Sequence, residues 1–85
     1  MQSQKDQLRI VYCVPCGFLP RAISLSQEVL ARLGPSNIGN LELVIEPGKD
    51  GVFDVYYNGK LIFSRFKEKR FPDINDILSK ILHNT

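Results

Sequence analysis

Across 85 residues the sequence has no tryptophan, one methionine, one histidine and only two cysteines. Structural zinc sites want four nitrogen or sulfur ligands, and one histidine with two cysteines cannot supply them within a single chain. No apolar run approaches the ~20 residues of a membrane span, so no membrane association is expected. The first seven residues, Met1 to Gln7, are polar and lack the apolar segment of a secretory leader. A cytoplasmic location is the expectation. Two cysteines in a reducing compartment point to reactivity or metal binding rather than to a structural staple. An excess of one charge is also missing. Eleven Lys and Arg against nine Asp and Glu leave a net charge of +2, too little to argue for nucleic acid. The length suits one domain spanning residues 1–85.

Both cysteines stand in Val11-Tyr12-Cys13-Val14-Pro15-Cys16-Gly17-Phe18. Upstream, residues 8–12 are β-branched and aromatic, which predicts a short strand after a frayed tail at residues 1–7. Alternation puts Leu8, Ile10 and Tyr12 on one face, and Arg9, Val11 and Cys13 on the other. Downstream, Ala22, Leu25, Val29, Leu30 and Leu33 recur with helical spacing. This first helix starts at Phe18 or Pro20 and ends at Leu33, where Gly34-Pro35 offers a left-handed cap and a stop. Strand two is 41–46, broken by Pro47. Strand three is 52–57. Asn58-Gly59 is a strong type I′ hairpin signal, and strand four follows over 60–66. Residues 67–70 read as a charged, exposed connection. A second helix starts near Asp73, with Ile74, Ile77, Leu78, Ile81 and Leu82 as its buried stripe.

The predicted order is β-α-β-β-β-α. A right-handed strand–helix–strand crossover gives a parallel pair, and the hairpin adds antiparallel strands. The expected fold is therefore a mixed four-stranded α+β sheet with two helices. The loop from Pro47 to Gly51 must step across the end of strand one if strand three pairs on its far side.

The CxxC lies where a strand hands over to a helix. Thiolate is the reactive form of cysteine, and a helix N-terminus stabilises it. A CxxC there can attack a disulfide with one sulfur and resolve the mixed disulfide with the other. The expected roles are Cys13 as the exposed attacking sulfur and Cys16 as the more buried resolving one. Pro15 stiffens the turn between them. Val14, Pro15, Gly17 and Phe18 are the candidate partner-contacting residues, with Phe18 as an apolar rim. The other phenylalanines and the tyrosines read as core.

Cys13-Val14-Pro15-Cys16-Gly17, Pro20, Glu46-Pro47-Gly48, Gly51-Val52-Phe53-Asp54-Val55, Asn58-Gly59-Lys60-Leu61-Ile62-Phe63-Ser64 and Phe71-Pro72-Asp73 together resemble the selenoprotein W-like, or Rdx, family. The resemblance runs over nearly the whole chain. It implies a thioredoxin-like fold, a thiol–disulfide oxidoreductase role, and selenocysteine at the second motif position in some members, where this chain has Cys16. Two departures stand out. Glu68-Lys69-Arg70 replaces a loop that often carries glycine, and no proline directly precedes strand three.

Other readings compete at each position. The cysteines could be small buried hydrophobes, or a weak metal site completed by a second chain's CxxC. A protein-binding module with incidental or regulatory cysteines is the alternative function. His83 reads as a cation suited to a helix C-terminus. Arg65, Lys67, Lys69 and Arg70 form a basic stretch that either protects the edge of strand four or docks an acidic partner. No cofactor is expected. The expected partner is a thiol or disulfide protein, or glutathione.

Overall fold

In a computed structural model, residues 5–83 are described. Strands β1 (Asp6–Cys13), β2 (Leu41–Gly48), β3 (Phe53–Tyr57) and β4 (Lys60–Ser64) form one sheet in the order β2-β1-β3-β4. β1 and β2 are parallel, while β1–β3 and β3–β4 are antiparallel. Three helices accompany the sheet: α1 (Leu19–Leu33), the four-residue α2 (Arg65–Glu68) and α3 (Ile74–His83). The architecture is the expected mixed four-stranded α+β sheet, with one helix more than the sequence predicted.

Helices α1 and α3 pack against the sheet through one apolar cluster. Leu8 and Ile10 of β1, Phe53 and Val55 of β3, Ala22, Leu25 and Val29 of α1, and Ile74, Ile77 and Ile81 of α3 are all buried in it. Burying an aliphatic side chain contributes ~1.5–3 kcal/mol, so both helices are integral to the core. Ser26 is also buried on α1, and its hydroxyl donates to the Ala22 carbonyl at 2.7 Å. On the other face of β1, Arg9 pairs with Glu46 at 2.7 Å and lies over the Tyr56 ring.

Several element boundaries differ from the sequence reading. Residues 1–4 of the expected tail lie outside the described residues, but Asp6 and Gln7 belong to β1. The Asn58 carboxamide accepts from the Gln7 N–H at 2.8 Å, and the Asn58 N–H donates to the Gln7 carbonyl at 2.8 Å. β2 runs on through Pro47 to Gly48 because it is an edge strand, where a missing N–H is tolerated. Gly34 is right-handed at φ −57° rather than a left-handed cap. It opens a 3₁₀ turn, Gly34–Ser36, and the Asn37 side chain donates to the Leu33 carbonyl. β4 stops at Ser64, and the chain turns into α2, which ends at Lys69 with φ 61°. The expected charged connection is thus partly helical.

Two forecasts hold in detail. At the β3–β4 turn Asn58 and Gly59 both have positive φ, 53° and 82°, with Tyr57 facing Lys60. At the start of α3, Asp73 Oδ1 accepts from the Asp76 N–H and Asp76 Oδ2 accepts from the Asp73 N–H, each at 2.9 Å. Arg70 closes this box with a bidentate pair to Asp76. That pairing holds the Asp76 carboxyl well below the ordinary carboxylate range. Along α3 the buried stripe keeps Ile74, Ile77 and Ile81 but loses Leu82, which is 65% exposed.

Candidate functional site

Cys13 is the last residue of β1, and α1 begins at Leu19. The segment between is a tight turn: the Gly17 N–H donates to the Val14 carbonyl at 3.0 Å, and the Phe18 N–H to the Cys13 carbonyl at 3.3 Å. Gly17 has φ 75°, a left-handed conformation that side chains with Cβ resist. This geometry brings the two cysteine Cα atoms to 5.3 Å, and their sulfurs are joined as a disulfide. The motif therefore sits at the C-terminal edge of the sheet, just ahead of the positive end of a 15-residue helix.

The Pro47–Gly51 loop reaches this edge as the strand order requires. The Cys13 N–H donates to the Val52 carbonyl at 2.8 Å, and the Val14 N–H to the Gly48 carbonyl at 3.0 Å. Gly48 is packed so closely that a Cβ there would lie 2.8 Å from Val52 Cγ1 and 3.0 Å from Val11 Cγ1. Val52, not a proline, occupies the place before β3 and anchors the backbone of Cys13.

One expectation is reversed. Cys13 is 1% exposed, whereas Cys16 is exposed. The end of β1 is flanked on both sides, by Gly48 of β2 and by Val52. The chain emerges at Val14, so the second cysteine of the motif is the one solvent reaches. Val14, Pro15 and Gly17 are exposed around it, with Val14 at 52%. Phe18 is half-buried. Its ring meets those of Phe53 and Phe71 edge-on at 6.3 and 4.9 Å between centroids.

The basic stretch divides. The Arg65 guanidinium lies 5.2 Å from the Phe18 ring centre and donates to the Gly51 carbonyl at 3.2 Å. It thus touches both segments flanking the motif. Arg70 faces away, toward Asp76. Lys67 lines a separate small cleft with Lys80 near the end of β4. The side chain of His83 lies outside the described residues. Among the described residues, no three His, Cys, Asp or Glu side chains gather in a way that could hold a metal. Arg21 is exposed on α1, and its sequence surroundings carry no sign of what it touches. Its guanidinium lies 4.0 Å from the Phe71 ring centre, and no local spacing signals a contact fifty residues away.

A family model described as the Rdx family matches residues 7–83. The chain belongs to the Rdx family. A crystal structure of a selenoprotein W-related protein from Vibrio cholerae superposes with a TM-score of 0.81 at 30% identity, covering 94% of this chain and 96% of that one. A Bordetella parapertussis protein gives 0.85 at 29% identity, covering 96% and 100%. Migration and invasion enhancer 1 of Bos taurus is 32% identical over 76 residues, covering 87% of this chain and 62% of that protein. The Mus musculus protein of the same name is 29% identical over 72 residues, covering 85% and 58%. The chain spans about three fifths of the length of these two relatives. This Rdx chain therefore pairs the family fold with a CxxC disulfide at the strand–helix junction. Among its described residues no helix is long and apolar enough to cross a membrane.

Proposed function

We propose that this Rdx protein is a thiol–disulfide redox protein in which Cys16 exchanges with the partner and Cys13 resolves. The observation that carries the reading is the asymmetry of the disulfide, with Cys16 exposed and Cys13 buried. A partner thiolate approaches the exposed Cys16 rather than the buried Cys13. Attack there makes a mixed disulfide to Cys16, and the Cys13 sulfur leaves as thiolate and takes up a proton. In the reverse direction the Cys16 thiolate attacks the partner's disulfide and releases one partner thiolate. Cys13 then attacks the mixed disulfide and releases the second, restoring Cys13–Cys16. The helix α1 N-terminus favours the Cys16 thiolate. Cys16 also stands where the family resemblance puts selenocysteine. The partner is a protein thiol or disulfide, or glutathione, and the cycle suits a compartment that keeps thiols reduced.

Trapping tests the assignment. Cys13→Ser should hold a mixed disulfide on Cys16 that persists in non-reducing electrophoresis, because the resolving sulfur is gone. Cys16→Ser should capture far less. Alkylation of the reduced protein near neutral pH should label Cys16 before Cys13. Faster labelling of Cys13 would reverse the roles. If neither variant forms a mixed disulfide with a small disulfide probe, the protein-binding reading replaces the redox one.

A further inference from the structure

We infer that the exposed Cys16 serves peptide or protein disulfides whose cysteine has acidic neighbours, with Arg21 and Arg65 selecting them. This rests on the exchange reading above. The chain has five arginines. Arg9 and Arg70 are each ion-paired at 2.7 Å, to Glu46 and Asp76. Arg32 lies in the last turn of α1, where a cation suits the helix dipole. Arg21 and Arg65 have no carboxylate within ion-pair distance among the described residues. These two converge on Phe71, whose ring meets Phe18 just after the motif.

Both rest on Phe71, with guanidinium carbons 4.0 and 5.4 Å from its ring centre. Arg65 also stacks on Phe18, two residues after Cys16, and is tethered through Nη1 to the Gly51 carbonyl. A guanidinium has five N–H donors in a fixed fork, and that tether uses one of them. Aromatic backing and the tether fix its direction before any partner arrives, so little entropy is lost on pairing with a carboxylate. An acidic residue beside the partner's cysteine meets two unpaired cations, and a basic one meets repulsion.

The surroundings favour an extended segment. From Arg21 a groove of about 130 Å³ follows α1 over Leu25, Phe53, Phe71 and Pro72 to Glu28. Val14 and Leu19, on either side of Cys16 in the chain, are 52% and 44% exposed. The groove offers an apolar floor to residues beyond the acidic one, and Glu28 at its far end sets a polarity.

The test uses two synthetic peptides of equal length, each with one cysteine disulfide-bonded to 2-mercaptoethanol. One has Asp on both sides of the cysteine and the other has Lys. The Cys16 thiolate of the reduced protein displaces mercaptoethanol thiolate. Cys13 then displaces the peptide thiolate and leaves the protein oxidised. Acid-quenched mass spectrometry gives the rates. The acidic peptide should react about tenfold faster at low ionic strength, with the ratio falling as salt is added. In the Arg21→Gln/Arg65→Gln double variant the ratio should fall to about one, and in the double lysine variant it should stay above one. Equal rates for both peptides in the unaltered protein overturn the inference, as does an acidic preference that survives in the glutamine variant. Neutral 2-hydroxyethyl disulfide separates the two readings, since failure to oxidise the protein with it sinks the exchange reading itself. A second arm needs no chemistry: a cysteine-free Asp-rich peptide is titrated into the Cys13→Ser/Cys16→Ser protein and followed by NMR. Saturable shifts at Arg21 and Arg65 side-chain Nε–H groups support the selection, and their absence overturns it.

Discussion

The two ends of β1 solve the same problem in opposite ways. At its start, Asp6 and Gln7 meet the β3–β4 hairpin, and the contact is closed. Asn58 accepts from and donates to Gln7, and its side-chain amide donates to Asp6. At its end, Cys13 meets the 48–52 loop with an equally well-paired backbone, yet the next turn carries the exposed Cys16, and Arg21 of α1 and Arg65 of α2 have no acidic partner among the described residues. A tight backbone is therefore common to both ends. What distinguishes the site is unpaired chemistry held on a rigid support, as a reactive site requires.

That comparison is broken most severely at Gly48. A Cβ there already crowds Val11 and Val52, whose branched side chains have little room to turn. Gly48→Val should cost on the order of 3 kcal/mol by overpacking, seen as a drop of at least ~10 °C in thermal midpoint. The hairpin end should suffer less. Gly59→Val leaves open space around the new side chain but forces a β-branched residue to a φ of 82°. It should cost about 1–3 kcal/mol. A larger loss for Gly59→Val than for Gly48→Val would mean that the hairpin, not the motif end, is the tighter support.

How far this design is legible in sequence follows from which forces are local. The strand order came from a chain-direction argument, and the Asn58-Gly59 turn from two residues that accept positive φ. The family resemblance rested on short motifs at fixed places. None of these needs knowledge of what lies on top of a residue. The exposures of Cys13 and Cys16 do need it, and so their order was inverted. Strand position suggested that the first cysteine is free, whereas Gly48 and Val52 close over the end of β1 from both sides. α2 was missed because Arg65–Glu68 is only four residues long, too short to show a helical period. The contact of Arg21 with Phe71 was out of reach for the same reason as the exposures of the cysteines. Helical spacing shows that Arg21 points outward, but not that Phe71 waits there.

Oxidation state offers a finer probe of the two ends. The amides of Cys13 and Val14 are bonded to the Val52 and Gly48 carbonyls, so a change of torsion in the motif must pass into that loop. Reduction of Cys13–Cys16 should shift the NMR amide signals of residues 48–52 along with those of the motif, and leave those of Asn58 and Gly59 in place. A silent 48–52 loop would show that the disulfide is mechanically uncoupled from the sheet.

The smallest effect expected lies at the closed end, in the titration of Tyr57. Burial, and secondarily the hydrogen bond and charge of Asp6, raise its phenol above the ordinary value. The protonated form is thus favoured by folding. Its contribution is complete below the ordinary tyrosine pKa of ~10 and is lost as pH rises through the raised value. Phenolate absorbance should therefore show a late component that Tyr57→Phe removes. Asp6→Asn should bring it earlier without abolishing it, since burial is the larger cause. Tyr57 pairs with Leu8 in the β1–β3 ladder. Cys13 is five residues further along the strand, roughly 16 Å away at ~3.3 Å per residue. That separation exceeds the Debye length of about 10 Å at 0.1 M salt, so charge on the reduced cysteines is screened from the phenol. The late component should fall at the same pH in the reduced and oxidised protein. A shift with redox state would mean that the two ends of β1 communicate through the sheet, and that the closed end is not independent of the reactive one.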